Sequence, residues 1–297
     1  MIKKITLAVI AVLMVLLSVF QVFSATIYIV DGYSYNILTN TTIAICGWDN
    51  SSPELIIPDQ IAGRRVTAIA NEALCGNEEI TSIDFSNTTQ LTTIGYDAFS
   101  GCSALQGEIV IPETVTSIGR GAFRSCPLLE SADIRAKVSN ISEQAFYGCS
   151  ELTSVKLSDS VTVIEKYAFA DCPKLTSVEI PATVETIYKT SFKNDHNLTL
   201  GVWYGTAGYD YAVAQNIPFV ILDGVKLGDT DGDGYVNIND VTHIQRHLAE
   251  LESLEGIYLH AADANQDGTL DISDATTLQM YLAEYDIPYP IGDIMTQ

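Results

Sequence analysis

Residues 92–105 read TTIGYDAFSGCSAL, and the pattern returns as TSIGRGAFRSCPLL (116–129), SNISEQAFYGCSEL (139–152), TVIEKYAFADCPKL (162–175) and ETIYKTSFKNDHNL (185–198). Phe99, Phe123, Phe146, Phe169 and Phe192 fall 24, 23, 23 and 23 residues apart. A degenerate copy, TAIANEALCGNEEI (67–80), places Leu74 25 residues before Phe99. Self-similarity at this period marks a solenoid, in which each turn buries its apolar face only against neighbouring turns. Between the copies, Ile83, Ile109, Ala132, Val155 and Val178 form one apolar row. Phe85, Ile111, Ile134, Leu157 and Ile180 form a second, two positions on. Spacing by two makes these rows the inward stripes of a parallel sheet. It sends Ser82/Asp84, Glu108/Val110, Ser131/Asp133, Ser154/Lys156 and Ser177/Glu179 outward.

Charge separates the rest of the chain from this array. At about 150 residues per domain, 297 residues suggest two domains. Acidic residues number 37 against 15 basic, a net charge of −22. Residues 223–297 hold 15 of the acids and 2 of the bases, so a quarter of the chain carries more than half the excess and forms a unit of its own. Like-charge repulsion argues against nucleic acid and anionic membrane surfaces as partners. An apolar content of 47% supports sizeable cores and excludes a disordered acidic chain. Four histidines and two tryptophans leave little for a His-rich metal site or an aromatic sugar platform.

The N-terminus reads as an export signal. Lys3 and Lys4 precede residues 5–20, of which 14 of 16 are apolar, and Val22 and Ser24 then stand at −3 and −1 of a cleavage site after Ser24. Sixteen helical residues at about 1.5 Å each fall short of a hydrocarbon core of about 30 Å. The expected mature chain is secreted, with no membrane segment after signal cleavage at 1–24.

The repeats resemble leucine-rich repeats of the BspA-like type. The match is carried by Ile111, Pro112, Val115, Thr116, Ser117, Ile118, Gly119, Ala122, Phe123, Cys126 and Leu129, and by their counterparts in the other copies. The resemblance implies an N-terminal cap at 25–56, repeats at 57–200 and a C-terminal cap at 201–222 containing Tyr209, Tyr211, Ala212, Asn216, Ile217 and Pro218. It also implies a surface that binds another macromolecule, of unknown kind.

Six cysteines in a secreted chain suggest three disulfides. However, Cys102, Cys126, Cys149 and Cys172 each follow their phenylalanine by three residues. Stacked turns lie about 4.8 Å apart with side chains parallel. A bridge needs Cβ atoms about 3.5–4.5 Å apart on converging vectors. The expectation is a ladder of buried thiols, with Cys46 and Cys75 outside it and their pairing open.

The acidic C-terminal unit carries two 12-residue loops. In the first, Asp229, Asp231, Asp233, Asn237 and Asp240 occupy positions 1, 3, 5, 9 and 12, Gly234 is at 6, and the carbonyl of Tyr235 is available at 7. The second lies 34 residues on, with Asp263, Asn265, Asp267, Asp271 and Asp274 at the same positions, Gly268 at 6 and Thr269 at 7. Hard oxygen donors at these offsets are what Ca²⁺ requires, so two ions are expected. Each loop is followed by an apolar stripe at helical spacing. The first is Val241, Ile244, Leu248 and Leu251, and the second Ala275, Leu278, Leu282 and Tyr285.

This tandem resembles a type I dockerin at 223–285, followed by a tail at 286–297. Aspartate at loop position 12 and the lack of a helix before either loop belong to that resemblance. It implies docking to a cohesin module of a scaffoldin in a cellulosome-type assembly. The implied cohesin contacts are Ile238, Asn239, Ile272 and Ser273 in the loops and Arg246, His247, Met280 and Tyr281 on the helices. Arg246 aligns with Met280, so the two halves are imperfectly symmetric.

Two other candidate sites are weaker. His243 and His247 have the spacing of a zinc pair, but Ile244 stands where the metalloprotease motif needs glutamate, and Arg246 is adjacent. Asp84 and Glu108 could serve as a glycosidase pair, yet solvated acids on a sheet face are far commoner. Nor is there an aromatic row for stacking sugars, and Trp203, Tyr204, Tyr209 and Tyr211 fall in the cap, where packing is the expected role.

The expected architecture is an α+β multidomain chain: a leucine-rich repeat solenoid with a parallel sheet, then a small all-α calcium-binding dockerin. The expected function is non-catalytic, namely docking to a cohesin and presenting a recognition surface in a polysaccharide-degrading assembly. The alternatives are an enzyme-associated or polysaccharide-hydrolysing component, and a cell-surface adhesin.

Overall fold

The computed structural model describes residues 3–5, 26–222 and 224–293, with backbone alone at 3–5 and 257. The export-signal reading of residues 1–24 lies outside the described residues except at Lys3–Ile5, a strand antiparallel to Ile27–Val30. The chain divides into two compact units, Met1–Thr176 with Tyr188–Asn197, and Ser177–Ile187 with Leu198–Gln297.

In the first unit, Ile27–Val30, Tyr33–Ile37 and Thr42–Trp48 form an antiparallel meander. Thr42–Trp48 then pairs in parallel with Arg64–Ile69, which continues to Thr93–Ile94 and Ser117–Ile118. A separate parallel sheet takes Gly107–Ile111, Leu129–Ile134 and Ser154–Lys156, with Ile109 opposite Ala132 and Ala132 opposite Val155. Both apolar rows are buried as their spacing requires. The outward row has one exception. Asp133 is only 8% exposed, because Arg135 lies back over it with Nε 2.7 Å from Oδ2. Its Oδ1 has no hydrogen-bond partner.

The phenylalanines form a continuous stack. Ring centroids of Phe99, Phe123, Phe146, Phe169 and Phe192 follow one another at 5.2, 5.3, 5.6 and 5.3 Å, nearly parallel. Beside the stack run the four thiols, all free and buried. Cys126, Cys149 and Cys172 donate to the carbonyls of Phe99, Phe123 and Phe146, each one turn back, at 3.2, 3.2 and 3.3 Å. Cys102 does the same to Leu74, which identifies the degenerate copy as a true turn of the array. Burial pushes all four thiols up, those of Cys102 and Cys172 to about 12. Cys46 and Cys75 are also free, half-buried and exposed respectively.

Polar residues occupy the ladder position at both ends. Asn77 accepts from the amides of Glu79 and Ile80. Asp195 is 8% exposed and accepts from the Cys172 amide at 2.8 Å. Burial raises the Asp195 carboxyl to about 7.

In the second unit, Ser177–Glu179, Thr199–Val202 and Phe219–Ile221 pair in parallel. Helix α1 (Ala207–Gln215) starts at the Thr206 cap and ends at Asn216, whose φ of 53° turns the chain out of the helix. It packs so close that a Cβ on Gly208 would stand 2.9 Å from Ile180 Cγ2. Three further helices follow: α2 (Ile238–Leu248), α3 (Ile257–Ala262) and α4 (Ile272–Leu282). Val241, Ile244, Ala275 and Leu278 are buried, with Leu227 and Ile291.

Two expectations change here. The apolar stripes do not run to Leu251 and Tyr285. Glu250 and Glu284 adopt φ of 58° and 59°, which swings the chain off each helix axis. Leu251 and Tyr285, beyond those turns, are therefore exposed, and Leu248 and Leu282 at the helix ends are exposed as well. A helix also precedes the second loop: α3 buries Ala261 and Ala262 and runs directly into Asp263. Among the described residues, no helix is long and apolar enough to cross a membrane.

Candidate metal centre and docking face

Loop positions 9 and 12 serve twice in each repeat. Asn237 is the N-cap of α2 and Asp240 its third residue, and the two close a reciprocal capping box. Asp271 and Asp274 do the same for α4, with nearly identical cap dihedrals of −144°, −169° against −147°, −173°. The short aspartate at position 12 suits this geometry. Asp240 Oδ2 accepts from the Asn237 amide at 2.7 Å, and Asp274 Oδ2 from the Asp271 amide at 2.9 Å.

The remaining ligands are held by loop amides. Asp229 accepts from Gly232 and Gly234 at 2.8 and 3.0 Å, and Asp263 from Asp267 and Gly268 at 3.1 and 2.9 Å. Asp240 Oδ1 accepts from the Thr230 amide at 2.7 Å, and Asp274 Oδ1 from the Asn265 amide at 3.2 Å. Asp229, Asp240 and Asp274 are almost wholly buried. Burial, the largest cause, raises the carboxyls of Asp229 and Asp274, and neighbouring carboxylates add to it.

Buried acids at positions 1 and 12 of loop one and at 12 of loop two, set among more exposed ones, fit a divalent cation, whose charge would offset their repulsion. In loop one, carboxylate oxygens of Asp229, Asp231 and Asp233 lie within 4.8 Å of one another. In loop two, Asn265 Nδ2 instead donates to Asp267 Oδ2 and Ser273 Oγ. The donor set suits Ca²⁺ at both loops, where the carbonyls of Tyr235 and Thr269 would supply position 7.

The face around the loops is apolar and open. Ile238 and Ile272 are 61% and 63% exposed at matching positions. Tyr235, Met280 and Tyr281 are exposed nearby in sequence. Arg246 Nε pairs with Glu252 at 2.8 Å, and His247 Nδ1 accepts from the Leu254 amide at 3.0 Å. His247 is thus occupied in holding the segment after α2, a role inconsistent with a zinc pair. Asn239 is exposed beside Ile238, and Ser273 beside Ile272 is half-buried.

A model for the dockerin type I domain matches residues 227–283, and one for the BspA type leucine rich repeat region matches 67–199 in six copies. The chain carries both modules. Type I dockerin domains bind calcium and imply a cohesin partner, and a leucine-rich repeat region offers a recognition surface. Both are non-catalytic module types.

Among solved structures, a leucine-rich repeat protein from Eubacterium ventriosum is similar at 30% identity and TM-score 0.47, over 55% of this chain and 44% of that one. A leucine rich cell surface protein from Faecalibacterium prausnitzii follows at 23% and 0.41, over 60% and 55%. A leucine rich repeat protein from T. pallidum is similar at 23% and 0.38, over 52% and 83%. The chain spans about half the length of the first two. No curated protein matches it.

On the repeats, Asp84 and Glu108 do come together, lining a cavity of about 460 Å³ with Ser86, Thr88, Glu113 and Arg135. Both acids are exposed, the setting of solvated carboxylates and not of an acid and nucleophile shielded from water. In the cap, Tyr211 is buried, and the Tyr209 ring meets Phe219 at 5.4 Å and Tyr204 at 4.8 Å, as packing residues do. Trp203 is 40% exposed.

Proposed function

We propose that this chain is a secreted, non-catalytic component of a polysaccharide-degrading assembly. Its dockerin, holding two calcium ions, docks onto a scaffoldin cohesin, and its repeats present a recognition surface. The supporting observation is the twofold loop–helix unit. Each unit sets an exposed isoleucine in the residue after its N-cap, so calcium binding and display of the apolar anchors depend on the same few residues. Ile238, Asn239, Ile272 and Ser273 meet the cohesin, joined by Arg246, His247, Met280 and Tyr281. Buried apolar anchors contribute most at such interfaces.

Calorimetry against a panel of cohesins in calcium tests the docking. Ile238→Asp with Ile272→Asp should weaken the cognate cohesin at least about tenfold, or about 1.4 kcal/mol. Unchanged affinity would refute the assigned face. Incubation with cellulose, xylan, pectin, mannan and casein tests the absence of catalysis. Turnover that survives repurification and is lost on replacing Asp84 and Glu108 would establish an enzyme instead.

A further inference from the structure

Over the four turns of Phe123, Phe146, Phe169 and Phe192, the phenylalanine edge of the solenoid has a charge unlike the rest of the protein, whereas the preceding turn of Phe99 adds only Asp97, whose amide donates to the Arg120 carbonyl at 2.8 Å. Residues 119–125, 142–148, 165–171 and 188–194 contain five cations and three carboxylates, whereas residues 26–222 as a whole contain eleven and twenty-two. These four segments are successive turns stacked on one another. The amides of Gly121, Phe146 and Asp171 donate to the carbonyls of Glu143, Ala168 and Lys193 one turn on, at 3.0, 2.8 and 2.9 Å.

Two of the three carboxylates are engaged internally. Glu165 accepts from Asn140 Nδ2 at 2.7 Å and from the Glu143 amide at 2.9 Å. Asp171 accepts from Asn194 Nδ2 at 2.6 Å and from the Tyr147 hydroxyl, which holds its carboxyl below the usual range. Arg120, Lys166, Lys189 and Lys193 are exposed. Tyrosines are interleaved with them. The rings of Tyr147 and Tyr167 meet edge to face at 6.5 Å, and Lys166 Nζ sits 5.6 Å over the ring of Tyr188, itself 42% exposed. Arg124 is oriented by Gln144 Oε1 at 3.3 Å.

We propose that this cationic, tyrosine-bearing edge binds an acidic polysaccharide, with Arg120 and Lys166 pairing with its carboxylates and Tyr167 and Tyr188 packing on its sugar rings. The proposal rests on the recognition-surface reading above and specifies the face and the ligand class. Charge complementarity favours a polyanion at this edge, because residues 26–222 outside the four segments carry six cations against nineteen carboxylates. Guanidinium and ammonium groups form strong, charge-assisted hydrogen bonds to carboxylates. Tyrosine supplies rigid, amphipathic contact area at low entropic cost. Turns about 4.8 Å apart set Arg120, Lys166 and Lys189 along one line, three residues before each phenylalanine, with Glu143 in the turn between the first two.

The test uses the full chain in calcium and three polymers: carboxymethylcellulose, neutral hydroxyethylcellulose, and polyglutamate, which has the charge without the sugar. Affinity electrophoresis should show retardation by carboxymethylcellulose alone, falling as salt rises. Arg120→Glu with Lys166→Glu should weaken binding at least tenfold, and Tyr167→Asn with Tyr188→Ser at least threefold. Lys137→Glu with Lys156→Glu, a control pair away from this edge, should leave it unchanged. Circular dichroism should show every variant folded, and cohesin binding should be retained throughout. Equal retardation by hydroxyethylcellulose or by polyglutamate overturns the proposal, as does no retardation by any polymer. If the control pair weakens binding and the edge variants do not, the repeats still bind a ligand and only this edge is refuted.

Discussion

Asp195→Asn should reverse sign in its effect on stability between acid and alkaline solution. Asp195 takes the position that cysteine holds in the preceding four turns, and its carboxyl is buried at the end of the ladder. Burial raises it to about 7, whereas an aspartate in the unfolded chain ionises near 3.9. Between those values the folded protein keeps a proton that the unfolded chain has lost. Stability therefore falls as pH rises from about 4 to about 7, and the full cost, about 4 kcal/mol, is present above that window. Asparagine keeps an acceptor for the Cys172 amide and carries no charge. Its amide also places two N–H donors where Oδ2 has no partner, against one O–H in the protonated parent, at a cost of about 1–3 kcal/mol. The variant should thus be less stable than the parent at pH 5 and more stable, by about 1–3 kcal/mol, at pH 8. Urea melts of both proteins at several pH values, at fixed free calcium, isolate the difference because all other groups titrate alike. Parallel stability–pH curves would refute the argument.

Phe146→Ala should cost about 3–5 kcal/mol, since it removes a wholly buried ring stacked on both sides; a urea midpoint within error of the parent would contradict the stack. Chelation of calcium should lower the helical signal of the C-terminal module while leaving the repeat strands, and Asp229→Ala with Asp263→Ala should abolish the response to added calcium, both read by circular dichroism. In native protein a maleimide should label Cys75 rapidly and leave Cys102, Cys126, Cys149 and Cys172 unmodified, because burial keeps those thiols protonated; mass spectrometry locates the adducts.

The solenoid was legible because its signals are periodic. One phenylalanine and one cysteine per turn, with two apolar positions spaced by two, define both the stack and the sheet. The loops were legible because metal-ligand spacing is local. What escaped depends on particular tertiary choices. Helices α2 and α4 end where Glu250 and Glu284 take a left-handed conformation that glycine usually marks, so the apolar stripes read as one turn too long. Helix α3 is six residues long and opens at Gly256 without a side-chain cap, which leaves no start signal. Asp133 fell in an outward column and is buried only because Arg135 covers it. The cationic edge lies in two columns, Arg120, Lys166 and Lys189 three residues before the phenylalanine and Arg124 and Lys193 one after it, but Tyr96 and Glu143 interrupt the first and Tyr147 and Ala170 the second, so neither column reads as basic.

The double duty of loop positions 9 and 12 has a consequence for how the docking module responds to calcium. Helices of eleven residues, the length of α2 and α4, are too short to persist alone in water, where about 12–15 residues are marginal. Their main barrier is nucleation, the ordering of a first turn before any hydrogen bond rewards it. A cation that gathers positions 9 and 12 orders that first turn directly, because those residues are also the N-cap and its box partner. On the proposed two-ion reading each ion would act as a nucleus, and the two nuclei would share one small core through Val241, Ile244, Ala275 and Leu278. The expected result is a cooperative threshold in calcium, below which both helices would be lost together and above which Ile238 and Ile272 would be presented as a pair.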